Sequence, residues 1–122
     1  MGGPRILLIE DEAVLRTSLA ALLRNRGFDV VEAASAAEAL AAVTQFAVDV
    51  AVADLMLRDH MSGLDVLVLL RGRLPELRAV LITGFPSEEL RGSAALAGVA
   101  AFLEKPFTIE QLAAAIDPGA AR

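Results

Sequence analysis

The chain has 122 residues and is 56% hydrophobic, so its length fits one domain with a buried core. Cysteine is absent, which excludes disulfide bonds, and a net charge of −5 with scattered basic residues argues against a nucleic-acid-binding surface. No apolar stretch approaches the roughly 20 residues of a membrane span, and the start has no signal-peptide core. We therefore expect a cytoplasmic domain with no membrane partner and no direct nucleic-acid partner.

The first half of the chain alternates short apolar runs with stretches of helical period. Leu15, Leu19 and Leu23 share one face of a helix, and Gly27 stands where a helix end commonly needs a positive φ. An almost wholly apolar run further on is typical of a central strand covered on both faces. The predicted elements are a strand at Ile6–Ile9, a helix at Ala13–Arg26, an edge strand at Phe28–Ala33, a helix opened by a Ser35–Glu38 capping box, and a strand at Val48–Ala53.

The second half repeats this alternation. Pro75 ends a very apolar helix, and Gly92 lies in a helix with a weak apolar face, which we expect to be the least stable one. The predicted elements are a helix at Leu64–Leu74, a strand at Ala79–Thr83, a helix at Glu88–Leu96, a strand at Ala100–Glu104, and a helix opened by Thr108 with Gln111. Five such strand–helix units predict a doubly wound parallel α/β sheet, which binds ligands outside the carboxyl ends of its strands.

Polar side chains stand at the carboxyl ends of four predicted strands. They are Glu10 and Asp11 after the first, Asp54 after the third, Thr83 at the fourth and Lys105, the single lysine of the chain, after the fifth. These ends meet at one edge of a parallel sheet, and the set suits a divalent cation, Mg²⁺ or Mn²⁺, and a phosphoryl group. Asp54 is the candidate nucleophile, Glu10 and Asp11 form the metal side, and Thr83 and Lys105 can contact phosphoryl oxygens.

Each of these residues also has an ordinary structural interpretation. Acidic residues before a helix are favoured by its macrodipole, an aspartate forms turns, and threonine is common in strands. The agreement of four independent strand ends favours the functional interpretation.

Five sequence fragments together resemble a known family. They are Ile6–Glu12 (ILLIEDE), Asp54–Leu57 (DLML), Met61–Gly63 (MSG), Leu81–Gly84 (LITG) and Phe102–Phe107 (FLEKPF). In this order and spacing they resemble the receiver domain of two-component response regulators. The resemblance predicts one receiver domain over residues 1–122, with its core at about residues 5–116.

The resemblance implies a flavodoxin-like fold with sheet order 2-1-3-4-5. It further implies that Asp54 accepts a phosphoryl group from a histidine kinase or a histidine phosphotransfer domain, with Mg²⁺ held by Glu10, Asp11, Asp54 and the backbone carbonyl of Met56. The hydroxyl of Thr83 and the ring of Phe102 would then switch a surface that binds a downstream protein or a tethered domain. Such a domain catalyses only its own phosphorylation and dephosphorylation.

The loop after Asp54 departs from the usual family pattern. Arg58 replaces a common proline, and the loop is one residue longer, which is similar to the receivers of hybrid histidine kinases and indicates a phosphorelay. Met56 and Phe85 would flank the phosphoryl group and hinder an attacking water, so we expect slow self-dephosphorylation. Arg58 either approaches the phosphoryl group or only covers the loop, and the single histidine, His60, is best interpreted as a solvated loop residue.

Two other functions remain open from the sequence. A hydrolase of the haloacid dehalogenase type also uses an aspartyl phosphate, but it would need a second aspartate where Met56 stands. A pseudo-receiver would keep the fold as an interaction module without phosphorylation. Within the favoured class, the sequence does not separate a stand-alone receiver from a segment of a larger protein.

Overall fold

The computed structural model describes residues 3–58 and 60–119, and the predicted domain limits at residues 1 and 122 lie outside this part. Strands and helices alternate throughout it. The elements are β1 (Arg5–Ile9), α1 (Ala13–Asn25), β2 (Asp29–Ala33), α2 (Ala36–Gln45), β3 (Val50–Asp54), α3 (Gly63–Arg73), β4 (Arg78–Thr83), α4 (Glu88–Leu96), β5 (Ala101–Glu104) and α5 (Ile109–Ile116). None of the described helices has the length and apolarity to cross a membrane.

The five strands form one parallel sheet in the order β2-β1-β3-β4-β5. This is the predicted doubly wound α/β architecture, and the predicted order is confirmed. β3 is central and buried along its whole length, whereas β2 lies at the edge. The carboxyl ends of β1, β3, β4 and β5 therefore meet on one side of the molecule.

Alternate strand residues feed two separate core layers, as the period of two in a strand requires. One layer packs the sheet against α2, α3 and α4 and includes Leu7, Ala51 and Leu81; the other packs it against α1 and α5 and includes Leu8 and Val52. Because both faces are covered, β1, β3 and β4 are apolar at every position except their end residues.

Local interactions set the ends of the helices. Gly27 has a φ of 94° after α1, as predicted. Thr108 and Gln111 form the predicted reciprocal capping box of α5. At α2 the prediction is only half right, because the hydroxyl of Ser35 accepts from the Glu38 N–H but the Glu38 carboxylate accepts from the N–H of Ala34 at 2.8 Å.

The edge strand starts one residue later than predicted. The N–H of Phe28 donates to the carbonyl of Leu23 at 3.2 Å and so closes the turn after α1. It is therefore unavailable to the β1–β2 ladder, which begins at Asp29.

Candidate functional site

The predicted site residues lie at the carboxyl edge of the sheet. Asp54 and Thr83 are the last residues of β3 and β4, and Glu10 and Lys105 directly follow β1 and β5. Four loops enclose a pocket of about 270 Å³ whose walls include Glu10, Asp11, Asp54, Met56, Arg58, Phe85 and Lys105. The structure thus brings together the residues that the sequence assigned to a metal side and a phosphoryl side.

Asp54 is recessed in this pocket, with a side chain only 7% exposed. Its Oδ1 accepts a hydrogen bond from the N–H of Met56 at 2.9 Å. Its Oδ2 accepts a hydrogen bond from the ammonium of Lys105. The peptide bond between Lys105 and Pro106 is cis. Asp54 is therefore a fixed carboxylate whose charge is balanced by one ammonium group.

Glu10 is a buried carboxyl group with a perturbed pKa. It is 5% exposed, and its Oε2 accepts from the N–H of Glu12 at 3.0 Å. Burial raises the pKa of Glu10 to about 7, helped by a hydrogen bond with Asp11 and the charge of Asp54, while the Glu12 N–H and the charge of Lys105 oppose the rise. Burial of the charged Glu10 carboxylate therefore costs free energy, and a proton on Glu10 or a cation beside it removes this cost.

Asp11 is held from the opposite side of the pocket. Its Oδ2 accepts a hydrogen bond from the backbone N–H of Arg58 at 2.7 Å, and Nε of the Arg58 side chain lies 3.8 Å from the same oxygen. The Arg58 side chain is otherwise exposed. The Arg58 side chain thus contacts Asp11 at the rim of the pocket, and this contact does not decide between the two alternatives for Arg58.

The donor set fits a hard divalent cation. The carboxylates of Glu10, Asp11, Glu12 and Asp54 line one pocket, and Mg²⁺ commonly takes one or two carboxylates with carbonyl and water oxygens. Over residues 3–58 and 60–119, no three acidic, histidine or cysteine side chains are grouped tightly enough to ligate a metal by themselves. Lys105 and Arg58 occupy oxygens of Asp54 and Asp11, so a bound cation would compete with these two cationic residues.

Thr83 is fully buried beneath the pocket. Its hydroxyl oxygen accepts from the N–H of Phe85 at 3.0 Å, and its carbonyl accepts from the N–H of Lys105 at 2.9 Å. The side chains of Met56 and Phe85 are 65% and 78% exposed at the pocket rim. The two apolar residues therefore lie at the opening of the pocket.

Phe102 lies away from the pocket, half-buried against the core layer of α2, α3 and α4. The guanidinium of Arg91 covers its ring, with Cζ 4.5 Å from the centroid. The same guanidinium pairs with the carboxylate of Glu104. One arginine of α4 therefore holds both the ring and the end of β5.

The sequence analysis did not identify three residues that contact the predicted site residues or set their position. Arg91 and Arg16 act through long side chains across elements, which no sequence period reveals. Gly63, quoted only as part of a fragment, allows α3 to approach β3, since a Cβ there would lie 2.0 Å from the carbonyl oxygen of Asp54. The exposed position of His60 agrees with its loop assignment, and Met61 and Phe107 pack against the two core layers.

The sequence model of the response regulator receiver domain matches residues 6–117. The chain belongs to the response regulator receiver domain family. This receiver domain is 38% identical to the probable transcriptional regulatory protein TcrX of Mycobacterium tuberculosis, over 88% of this chain and 45% of TcrX. It is 32% identical to the sensor kinase CckA of Brucella abortus, over 94% of this chain and 12% of CckA.

A solved response regulator of Burkholderia pseudomallei has the same fold, with a TM-score of 0.87 and 29% identity over 98% of this receiver domain and 69% of that chain. That structure holds a phosphorylated aspartic acid, a calcium ion and citrate. The receiver domain thus spans less than half the length of TcrX and about an eighth of CckA, so those whole proteins contain much that it does not match.

Proposed function

We propose that Asp54 accepts a phosphoryl group from the phosphohistidine of a histidine kinase or a histidine phosphotransfer domain. The observation that carries this proposal is the recessed Asp54 carboxylate, fixed by the Met56 N–H and paired with the ammonium of Lys105 beside the carboxylates of Glu10 and Asp11. A carboxylate oxygen attacks phosphorus, a new P–O bond forms, and the P–N bond to the imidazole breaks. Lys105 then offers its charge to a phosphoryl oxygen.

Glu10, Asp11, Asp54 and the Met56 carbonyl would hold Mg²⁺, or Mn²⁺ in its place. The cation supplies positive charge that neutralises the phosphoryl oxygens as the group is transferred. Asp11 orients towards the pocket through its bond to the Arg58 N–H. The phosphorylated aspartate and calcium ion of the Burkholderia pseudomallei relative support this assignment.

Phosphorylation would change the surface around α4 and β5. The Thr83 hydroxyl would leave the N–H of Phe85 for a phosphoryl oxygen, and the ring of Phe102 would turn inward from beneath Arg91. A downstream protein or a tethered domain would recognise the altered surface. The only reactions that this function assigns to the domain are its own phosphorylation and dephosphorylation.

The similarity to a segment of the sensor kinase CckA supports a role in a phosphorelay. The similarity to TcrX, a probable transcriptional regulatory protein, supports a downstream regulator, tethered or separate, that responds to the phosphorylated domain. We assign this role to one domain with its core at about residues 5–116, acting in the cytoplasm and without direct contact to nucleic acid or membrane.

Intact mass spectrometry with acetyl phosphate and Mg²⁺ tests the phosphorylation of this domain. Wild type should gain one phosphoryl group, Asp54→Asn should gain none, and a chelator should abolish the gain. Asp29→Asn is the matched control, because this exposed carboxylate stands at the start of β2, on the opposite edge of the sheet. A folded wild type that binds Mg²⁺ but takes no phosphoryl group, from acetyl phosphate or from a phosphorylated histidine phosphotransfer domain, would favour the pseudo-receiver instead.

A further inference from the structure

Arg16 extends from α1 to the loop between β1 and α1, residues 10–12, which we call the acidic loop. Its Nη1 donates to the backbone carbonyl of Glu10 at 2.9 Å, and its Nε donates to Oε1 of Glu32 on β2 at 3.3 Å. The side chain is mostly buried, with 18% of its surface exposed. Arg16 therefore ties the segment that carries the candidate metal ligands to the neighbouring strand.

The bonded carbonyl is the one whose position matters most for the acidic pair. It belongs to the planar peptide that joins Glu10 to Asp11, so fixing its oxygen fixes the plane from which both side chains project. The N–H of Glu10 is fixed as well, because it donates to the carbonyl of Ala33 at 3.0 Å. Together these bonds determine where the two carboxylates stand before any cation arrives.

The position of Arg16 is unfavourable for helix stability alone. α1 begins at Ala13, so Arg16 lies in its first turn. A positive charge near a helix N-terminus opposes the macrodipole. This cost to helix stability is explained if the Arg16 guanidinium stabilises the acidic loop rather than the helix.

We propose that Arg16 is a positioning residue that sets the Mg²⁺ affinity of the acidic pair by orienting the Glu10–Asp11 peptide. This inference rests on the proposed function, in which these carboxylates hold the cation. Arg16 binds neither the cation nor the phosphoryl group. It acts through Glu10, as residues that orient metal ligands commonly do, and their loss typically weakens metal binding about 10–100-fold.

Arg24 provides a matched control on the same helix. It bonds the other oxygen of the same glutamate, Glu32, at 3.2 Å, and the backbone carbonyl of Val30 at 2.8 Å. Each arginine thus donates to the Glu32 carboxylate of β2 and to one backbone carbonyl. They differ in the carbonyl, which is in the acidic loop for Arg16 and in the strand for Arg24, and in side-chain exposure, which is 18% for Arg16 and 48% for Arg24.

Titration calorimetry with Mg²⁺ on wild type, Arg16→Met, Arg16→Lys and Arg24→Met separates the two roles. Arg16→Met should raise the Kd for Mg²⁺ about tenfold, and Arg16→Lys should recover part of the loss, because an ammonium can still donate to the Glu10 carbonyl. Arg24→Met should also lower the unfolding midpoint, though less because Arg24 is more exposed, and should leave the Kd within about twofold of wild type. Equal effects of both methionine variants on the Kd, or none, would overturn the proposal.

Hydrogen exchange without metal gives a second readout. The N–H of Glu12, bonded to the Glu10 carboxylate, should exchange faster in Arg16→Met and Arg16→Lys than in Arg24→Met. If Arg16→Met does not fold, Arg16→Lys decides the result alone. If wild type is phosphorylated and the Arg16 variants bind Mg²⁺ with the wild-type Kd, only this inference is contradicted. If wild type is folded but does not bind Mg²⁺, the proposed function is contradicted.

Discussion

The ammonium of Lys105 donates a hydrogen bond to Oδ2 of Asp54, a residue 51 positions earlier in the chain. The bond closes the carboxyl edge of the sheet across β4, which lies between the two strands that carry these residues. It balances the charge of a carboxylate that is almost completely buried next to Glu10. The lysine thereby stabilises the unphosphorylated site and lies where it can contact the incoming phosphoryl group.

Replacing this lysine should affect both stability and phosphorylation. In Lys105→Met the Asp54 carboxylate loses its cationic partner, so the metal-free domain should lose roughly 1–3 kcal/mol of unfolding free energy. Phosphorylation by acetyl phosphate should slow at least about tenfold, a loss of about 1.4 kcal/mol in the transition state. Lys105→Arg keeps the charge and should stay closer to wild type in urea denaturation. Wild-type rates in Lys105→Met would show that the ammonium has no part in transfer.

The stability of the metal-free domain should depend on Glu10. Its pKa is about 7 in the folded protein and 4.5 for the free group. The folded state binds this proton more tightly, so the contribution of Glu10 is fully present below about pH 4.5 and is lost as the pH rises through about 7. Glu10→Gln removes this loss and should gain stability over wild type, by on the order of 1–3 kcal/mol, between about pH 5 and about pH 8.

Urea denaturation in the presence of a chelator measures this difference. Repeating it with saturating Mg²⁺ is the control, because a cation should offset the same repulsion and shrink the gain of the glutamine variant. A constant difference between the two proteins across the pH range would mean that Glu10 titrates normally.

The approach of α3 to β3 should depend on Gly63. A Cβ at this position would meet the carbonyl oxygen of Asp54 at 2.0 Å, a distance that forces the backbone of one element to move. Gly63→Ala should therefore cost roughly 2–4 kcal/mol and displace Asp54, with slower phosphorylation. Gly72→Ala in the same helix meets no atom within 4 Å and should be neutral, or stabilising by up to about 1 kcal/mol. Equal unfolding midpoints for the two variants would contradict the close approach.

The lifetime of the phosphorylated domain should depend on Met56. Its exposed side chain lies on the rim of the pocket, where apolar bulk keeps an attacking water from a stable position. Met56→Asn offers an amide that can hold water, and label loss should be at least about threefold faster. Met56→Leu retains the apolar bulk and should decay at the wild-type rate. Equal decay of all three proteins would show that this side chain does not limit access of water.

Much of this site could be predicted because it depends on strand ends. A parallel sheet brings its carboxyl ends together whatever the details of packing, so the sequence alone places Glu10, Asp54, Thr83 and Lys105 at one edge. The sheet order came from the resemblance to the family rather than from periodicity. The capping box of α5 followed from residue types three positions apart, which is a purely local signal.

The parts that could not be predicted depend on long side chains and on close packing. Arg91 and Arg16 reach across elements to Phe102 and to the Glu10 carbonyl, and their partners depend on the final separation of helix and strand. At α2 the carboxylate of Glu38 accepts from the N–H of Ala34 and does not complete the reciprocal capping box with Ser35. No local pattern distinguishes these possibilities.

The central claim is that Asp54, rather than another carboxylate of the pocket, carries the phosphoryl group. Borohydride reduction of the phosphorylated domain converts the acyl phosphate to an alcohol, and peptide mass spectrometry after trypsin digestion then locates the altered residue. Trypsin separates the candidates, because Glu10 and Asp11 lie in the peptide Ile6–Arg16 and Asp54 lies in Gly27–Arg58. We predict conversion at Asp54 alone; conversion in Ile6–Arg16 with an unchanged Asp54 would contradict the account.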